Sequence, residues 1–60
     1  MKKSIIDREI EKEYYQQSEG TQIEITKIVE LFQYCRNEIS NGVSPHDAVG
    51  RAIGLFCVNA

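Results

Sequence analysis

The sequence predicts an all-α protein of three short helices, in which helix 2 and helix 3 form an antiparallel hairpin and helix 1 packs across it. Three observations support this fold class. Apolar residues recur at helical spacing in three segments, two glycine-marked breaks separate those segments, and serine start signals precede the first and the third. The 60 residues are enough for one small domain, spanning 1–60. A chain of this size buries only about 60% of its unfolded surface, so its core is thin.

Helix 1 is predicted from about Ser4 to Gln17. Ser4 is a good N-terminal cap, and Asp7 suits the positive end of a helix. The apolar residues fall every fourth position and make a narrow stripe: Ile6, Ile10 and Tyr14. Because the remaining faces are polar, we expect this helix to depend on docking against the others.

Helix 2 is predicted from Thr21 to about Ser40, after the break at 18–20. Thr21 and Glu24 have the spacing of a capping box. The apolar positions alternate spacings of three and four, as in a coiled coil: Ile25, Ile28, Phe32, Cys35 and Ile39. Residues 22–26 alternate briefly, but the longer helical period favours helix, so no strand is expected.

Helix 3 is predicted to begin after Gly42. Glycine readily adopts the left-handed backbone conformation that commonly ends a helix, so Gly42 suits the end of helix 2. Ser44 is the expected cap, and Pro45 occupies the first helical position. The helix is expected to end close to the end of the sequence, with residues 58–60 frayed.

The apolar arc of helix 3 is unusually wide. It covers roughly 200° of a helical wheel, about twice what a surface helix of a small monomer needs. The surplus predicts a second buried face, and therefore a homodimer or higher assembly or another protein partner. Gly50 and Gly54 form a small-xxx-small pattern that permits close helix crossing. The predicted interface residues are Leu31, Ala48, Val49, Gly50, Ala52, Ile53, Gly54 and Phe56.

Composition and charge argue against several functional classes. The net charge of −2 argues against general nucleic-acid binding, which needs a basic face. No apolar run approaches the roughly 18 residues of a membrane span, and residues 2–7 do not resemble a signal peptide. We therefore expect a cytoplasmic protein without membrane contact.

The sequence shows no catalytic or metal-binding pattern, and no cofactor is expected. Cys35 and Cys57 form no CxxC pair and lie among apolar neighbours, which favours buried reduced thiols over a disulfide. His46 is the single histidine, so a metal site lacks further ligands. His46 and Cys57 are about three helical turns apart, too far for a catalytic pair.

One short segment resembles the middle of a bacterial helix-turn-helix. The resemblance rests on the turn Gly42-Val43-Ser44 followed by Arg51 and Ile53, and it covers about a dozen residues. It implies DNA binding by residues 44–51. The chain departs from the pattern at Glu38, where a small residue normally allows two helices to cross.

Three hypotheses for function therefore remain open. The first is a small non-enzymatic interaction protein, a homo-oligomeric bacterial or phage-type regulator or inhibitor that binds another protein. The second is an oligomeric protein that sequesters a small anionic or nucleotide ligand between subunits. Its candidate ligand residues are Tyr15, Lys27 and Arg36. The third is a helix-turn-helix regulator, which the acidic charge makes the least favoured.

Overall fold

The structure is a computed structural model that describes residues 4–59. Three helices contain most of these residues, and two very short strands pair with each other. In chain order the elements are α1 (Ile5–Gln17), β1 (Thr21–Gln22), α2 (Ile25–Ser40), α3 (Pro45–Phe56) and β2 (Val58–Asn59). The predicted three-helix fold is confirmed.

Local sequence signals set the starts of α1 and α3 as predicted. The Ser4 hydroxyl accepts the Asp7 backbone N–H at 3.0 Å, and the Ser44 hydroxyl accepts the Asp47 N–H at 3.2 Å. Each bond satisfies one of the donors that a helix start leaves open. Gly42 ends the α2 segment with a φ of +98°, the left-handed backbone that glycine adopts without steric cost.

The predicted start of α2 is wrong by one helical turn. The Thr21 hydroxyl donates to the Ser18 carbonyl at 2.7 Å instead of capping a helix, and α2 begins at Ile25. Glu24 is the N-cap residue but makes no side-chain cap hydrogen bond. The capping-box spacing is therefore present in the sequence but unused, because Thr21 belongs to a strand.

The strand pairing overturns two expectations, the absence of strands and the fraying of the segment after α3. Thr21 pairs with Asn59 and Gln22 with Val58 in an antiparallel ladder. The antiparallel α2–α3 hairpin returns the end of α3 to the start of α2, which brings these backbones together. Ala60, the last residue predicted to fray, lies outside the described residues.

Side-chain contacts define how the helices pack. Arg51 reaches Glu38, and the Phe56 ring meets the Tyr34 ring edge-on, with centroids 6.0 Å apart. Residue numbers rise along α3 as they fall along α2, so these helices are antiparallel as predicted. α1 packs against both helices. Two contacts fix the position of α1. Asp7 accepts a hydrogen bond from Arg36 of α2, and Glu13 contacts His46 of α3.

The core explains the wide apolar arc of α3. Among residues 4–59 the fully buried side chains are Ile10, Leu31, Cys35, Ala48, Val49 and Ala52. Half of these belong to α3, which lies between α1 and α2 and buries a face against each. Both faces therefore have intramolecular partners. The arc alone is no longer a reason to expect a second molecule at α3.

Candidate functional site

The clearest exposed apolar feature is a row of residues along α2. We call it the α2 stripe and define it as Ile25, Val29, Phe32 and Arg36. Ile25 is 84% exposed and Val29 is 60% exposed, while Phe32 is partly buried against the core. Successive spacings of four, three and four residues place all four side chains on one side of the helix. The stripe therefore offers continuous apolar surface to another molecule.

Arg36 closes one end of the stripe and is itself held in place. Its Nε donates to Asp7 Oδ1 at 2.7 Å, and its guanidinium carbon lies 5.7 Å from the centroid of the Phe32 ring. The hydrogen bond to Asp7 is the main cause that raises the pKa of Arg36. Because the charge is paired and stacked, the aliphatic stem of Arg36 can extend the apolar surface.

The positions of α2 that flank the stripe carry no charge. Thr26 and Gln33 lie along its outer edge, and Ile28 and Cys35 lie on the side that turns towards the core. The nearby Lys27 is paired with Glu30 at 3.3 Å. The stripe is therefore bounded by neutral polar groups on one side and by the protein interior on the other.

A cavity of about 370 Å³ lies at the end of the molecule where the strands meet α2 and α3. It is lined by Gln22, Ile23, Glu24, Lys27, Phe56 and Val58. Three of these side chains are apolar, and the two charged ones have opposite signs. Its volume lies near the lower end of the range of about 300–1,000 Å³ typical of small-molecule sites.

The structure does not bring the three predicted ligand residues together within one chain. Lys27 lines the cavity, but Arg36 is nine residues further along α2. That separation places it about 13 Å away along the helix and half a turn around it. Tyr15 is 71% exposed on α1, where its ring lies 5.9 Å from that of Tyr14. A ligand that touched all three would have to lie between subunits.

A polar cluster that sequence analysis did not identify joins α1 to α3. Glu13 Oε1 lies 3.0 Å from His46 Nδ1, and the Gln17 amide donates to Glu13 Oε1 at 3.0 Å and to the His46 carbonyl at 3.1 Å. Ionised Glu13 can only accept hydrogen bonds, so His46 Nδ1 is the donor in the bond between them. Glu13 and Gln17 lie one turn apart on α1, but no sequence pattern points from them to His46.

The two hydrogen bonds lower the pKa of Glu13, with the bond from His46 as the largest cause. Both stabilise the ionised carboxylate. His46 is exposed, as expected for the second position of a helix. The cluster joins α1 to α3 through the Glu13–His46 bond and the bond from Gln17 to the His46 carbonyl.

The residues that carry the helix-turn-helix resemblance are occupied by internal contacts. Arg51 Nη1 donates to Glu38 Oε1 at 3.3 Å, and the same oxygen accepts the Tyr34 hydroxyl at 2.9 Å. The bond to Glu38 is the main cause that raises the pKa of Tyr34. Glu38, the departure from the pattern, thus joins α2 to α3.

The two glycines of α3 have different surroundings. A Cβ placed on Gly50 would lie 3.1 Å from Gln17 Oε1, so the close approach at this position is to α1 of the same chain. At Gly54 a Cβ would meet no other atom within 4 Å. Of the remaining predicted interface residues, Leu31, Ala48, Val49 and Ala52 are in the core, and Ile53 and Phe56 pack against it.

Three further observations bear on function. No group of three or more His, Cys, Asp or Glu side chains within residues 4–59 is arranged to hold a metal ion. No helix in the same range is long and apolar enough to cross a membrane. Comparisons with protein-family models, curated proteins and solved structures found no match to this chain.

Proposed function

We propose that this chain is a small non-enzymatic interaction protein, a homo-oligomeric regulator or inhibitor of bacterial or phage type that binds another protein. A cytoplasmic location is part of the proposal. The observation that carries it is the α2 stripe, where Ile25 and Val29 are largely exposed in one row with Phe32. Isolated exposed apolar side chains are ordinary on protein surfaces, whereas a contiguous row is typical of a docking site.

The polar side chains support a binding role over a chemical one. Glu13 and His46 are engaged with each other, and Glu38 is engaged with Tyr34 and Arg51. Each contact lies within a helix or between two helices, where it fixes the packing. The charged groups best placed for proton transfer thus already have structural partners.

Site-specific photo-crosslinking tests the proposal, because it captures whichever protein contacts the stripe. p-Benzoylphenylalanine in place of Val29 should form a covalent adduct with a protein when the chain is irradiated in its native cells. The matched control carries the same group in place of Gln16, an exposed residue of α1. Adducts from position 29 that are absent at position 16 would support the stripe as a docking site. No protein adduct at position 29 would contradict the proposal.

The cavity favours one second candidate, an oligomer that sequesters a small anionic or nucleotide ligand. Lys27 lies in its wall, and Tyr15 and Arg36 would then come from a neighbouring subunit. A thermal-shift screen tests this candidate, since ligand at about 100 times its Kd stabilises a protein by roughly 2.7 kcal/mol. A nucleotide that raises Tm for wild type but not for Lys27→Ala would support it. No shift with any nucleotide would exclude it.

No contact of residues 44–51 favours DNA binding.

A further inference from the structure

We propose that the α2 stripe pairs with the same stripe of a second copy, with the two α2 helices antiparallel. This inference rests on the proposed function, because it names one occupant of that docking surface. It also moves the predicted self-association from α3, most of whose apolar side chains are buried or packed against the core of the same chain, to α2. A chain with so thin a core gains stability from such pairing.

The spacing of the stripe fixes a register. Ile25 and Phe32 occupy one type of coiled-coil seam position, and Val29 and Arg36 occupy the other. In an antiparallel pair each type faces the opposite type. Val29 therefore faces Phe32 of the partner subunit, and Ile25 packs on the aliphatic stem of Arg36 of the partner subunit.

Charge decides between the two orientations. A parallel pair would place the two Arg36 side chains side by side, and like charges in contact oppose association. In the antiparallel pair they lie at opposite ends, about 16 Å apart along the helices. Each Arg36 also keeps its own Asp7, so no unpaired charge is buried.

The flanking positions carry no charge that would repel a second copy, as self-pairing requires. Charged residues beside a coiled-coil seam select a partner of complementary charge and set its orientation. In an antiparallel self-pair, the residues on one side of the seam face the same residues of the partner subunit. A like charge at these positions would therefore oppose pairing. Thr26 and Gln33 are neutral, and Lys27 is paired with Glu30 away from the seam. The surface thus imposes no penalty on its own copy.

Sedimentation equilibrium of the purified chain, from low to high micromolar concentration, tests the pairing. We expect wild type to be a reversible dimer and Val29→Glu to be a folded monomer, with its helical circular dichroism retained. The matched control is Leu55→Glu, which places the same charge on an exposed residue of α3. It should remain dimeric. A dimer that survives Val29→Glu, or that Leu55→Glu abolishes, would overturn the inference.

Two variants of Ile25 test the register. Glutamate at this position would face Arg36 of the partner subunit, whereas lysine would repel it. Because Asp7 already offsets part of the Arg36 charge, we expect Ile25→Lys to bind its copy severalfold more weakly than Ile25→Glu. Equal weakening by both variants would overturn the antiparallel register. Ile25 is 84% exposed, so both variants should fold even if Val29→Glu does not.

The two proposals can fail separately. A monomeric wild type whose position-29 adduct contains another protein would overturn self-pairing and the homo-oligomeric part of the proposed function, and it would leave the binding of another protein standing. A monomeric wild type that also forms no adduct would contradict both.

Discussion

At the scale of single residues, burial gives the two cysteines different chemistry. Cys35 is fully buried among the core residues, and Cys57 is half-buried at the end of α3; both are free thiols. Burial disfavours the thiolate and raises the pKa of Cys35 to about 11. The thiolate is the reactive form. Cys35 should therefore react slowly with thiol reagents, because they cannot reach it and because little of it is ionised at neutral pH.

Native-state thiol labelling should therefore be selective. With a maleimide at neutral pH, we expect one rapid modification at Cys57 and a slow second one at Cys35, limited by opening of the fold. Mass spectrometry of the labelled peptides over time would measure both rates. The Cys57→Ser variant should show the slow phase alone. Equal rapid labelling of both residues would show that the core around Cys35 is not closed.

The Glu13–His46 contact predicts a specific pH dependence. Because the folded state lowers the pKa of Glu13, ionised Glu13 contributes stability above the unfolded pKa of glutamate, about 4.3. That contribution is lost as the pH falls through the lower folded-state pKa. We expect Glu13→Gln to lose less stability than wild type on acidification below this value. Urea unfolding at neutral and acid pH would measure the difference, with Glu9→Gln, on an exposed position, as control. Parallel loss by wild type and Glu13→Gln would contradict the assignment.

At the scale of elements, local signals were predictable and long-range contacts were not. The starts of α1 and α3 follow from Ser4 and Ser44. Each hydroxyl accepts a hydrogen bond from the backbone N–H of the residue three positions later. The β1–β2 ladder was missed because Thr21 and Asn59 are distant in sequence and a capping-box pattern offered a competing local structure. Side-chain period alone cannot reveal a two-residue strand.

The candidate site was only partly predictable for a related reason. α2 carries apolar residues on two neighbouring arcs, one with Leu31 and Cys35 and one with Ile25 and Val29. The structure buries the first arc and exposes the second. Which arc is covered depends on where α1 and α3 dock, and the sequence of α2 alone does not contain that information. The coiled-coil spacing identified the helix but not its free side.

Gly54→Ala should stabilise the protein. Glycine within a helix costs up to about 1 kcal/mol relative to alanine, and the added methyl group would meet open space. We expect a gain of about 0.5–1 kcal/mol in urea unfolding. Gly42→Ala is the control in which the same substitution should have the opposite effect. The φ of Gly42 is +98°, which is unfavourable for any residue with a side chain, so this variant should destabilise the protein. Destabilisation by Gly54→Ala would indicate that another helix contacts this face, as the small-xxx-small pattern predicts.

At the scale of the whole molecule, stability depends on very few side chains. Of residues 4–59, six apolar side chains are fully buried, and Ile10 is the one that α1 supplies. The net stability of a small domain is a small difference between large opposing terms. The docking of α1 therefore depends strongly on one residue together with the polar contacts at its two ends.

Ile10→Ala tests this dependence. Truncation of a fully buried isoleucine typically costs about 2–5 kcal/mol, a large share of the stability of a domain this small. We expect a large drop in the urea midpoint or loss of the folded state. Ile5→Ala removes the same atoms from a residue that is 79% exposed, and it should change the midpoint little. Similar effects from both variants would mean that α1 does not dock through Ile10.

The β1–β2 ladder also constrains how the chain folds. By pairing Thr21–Gln22 with Val58–Asn59, it closes a loop that contains both α2 and α3. Closing so long a loop for so few hydrogen bonds is entropically unfavourable until the hairpin has already brought its ends together. The ladder should therefore form late and open first. Its amides are expected to exchange with deuterium well before those of α3, without global unfolding.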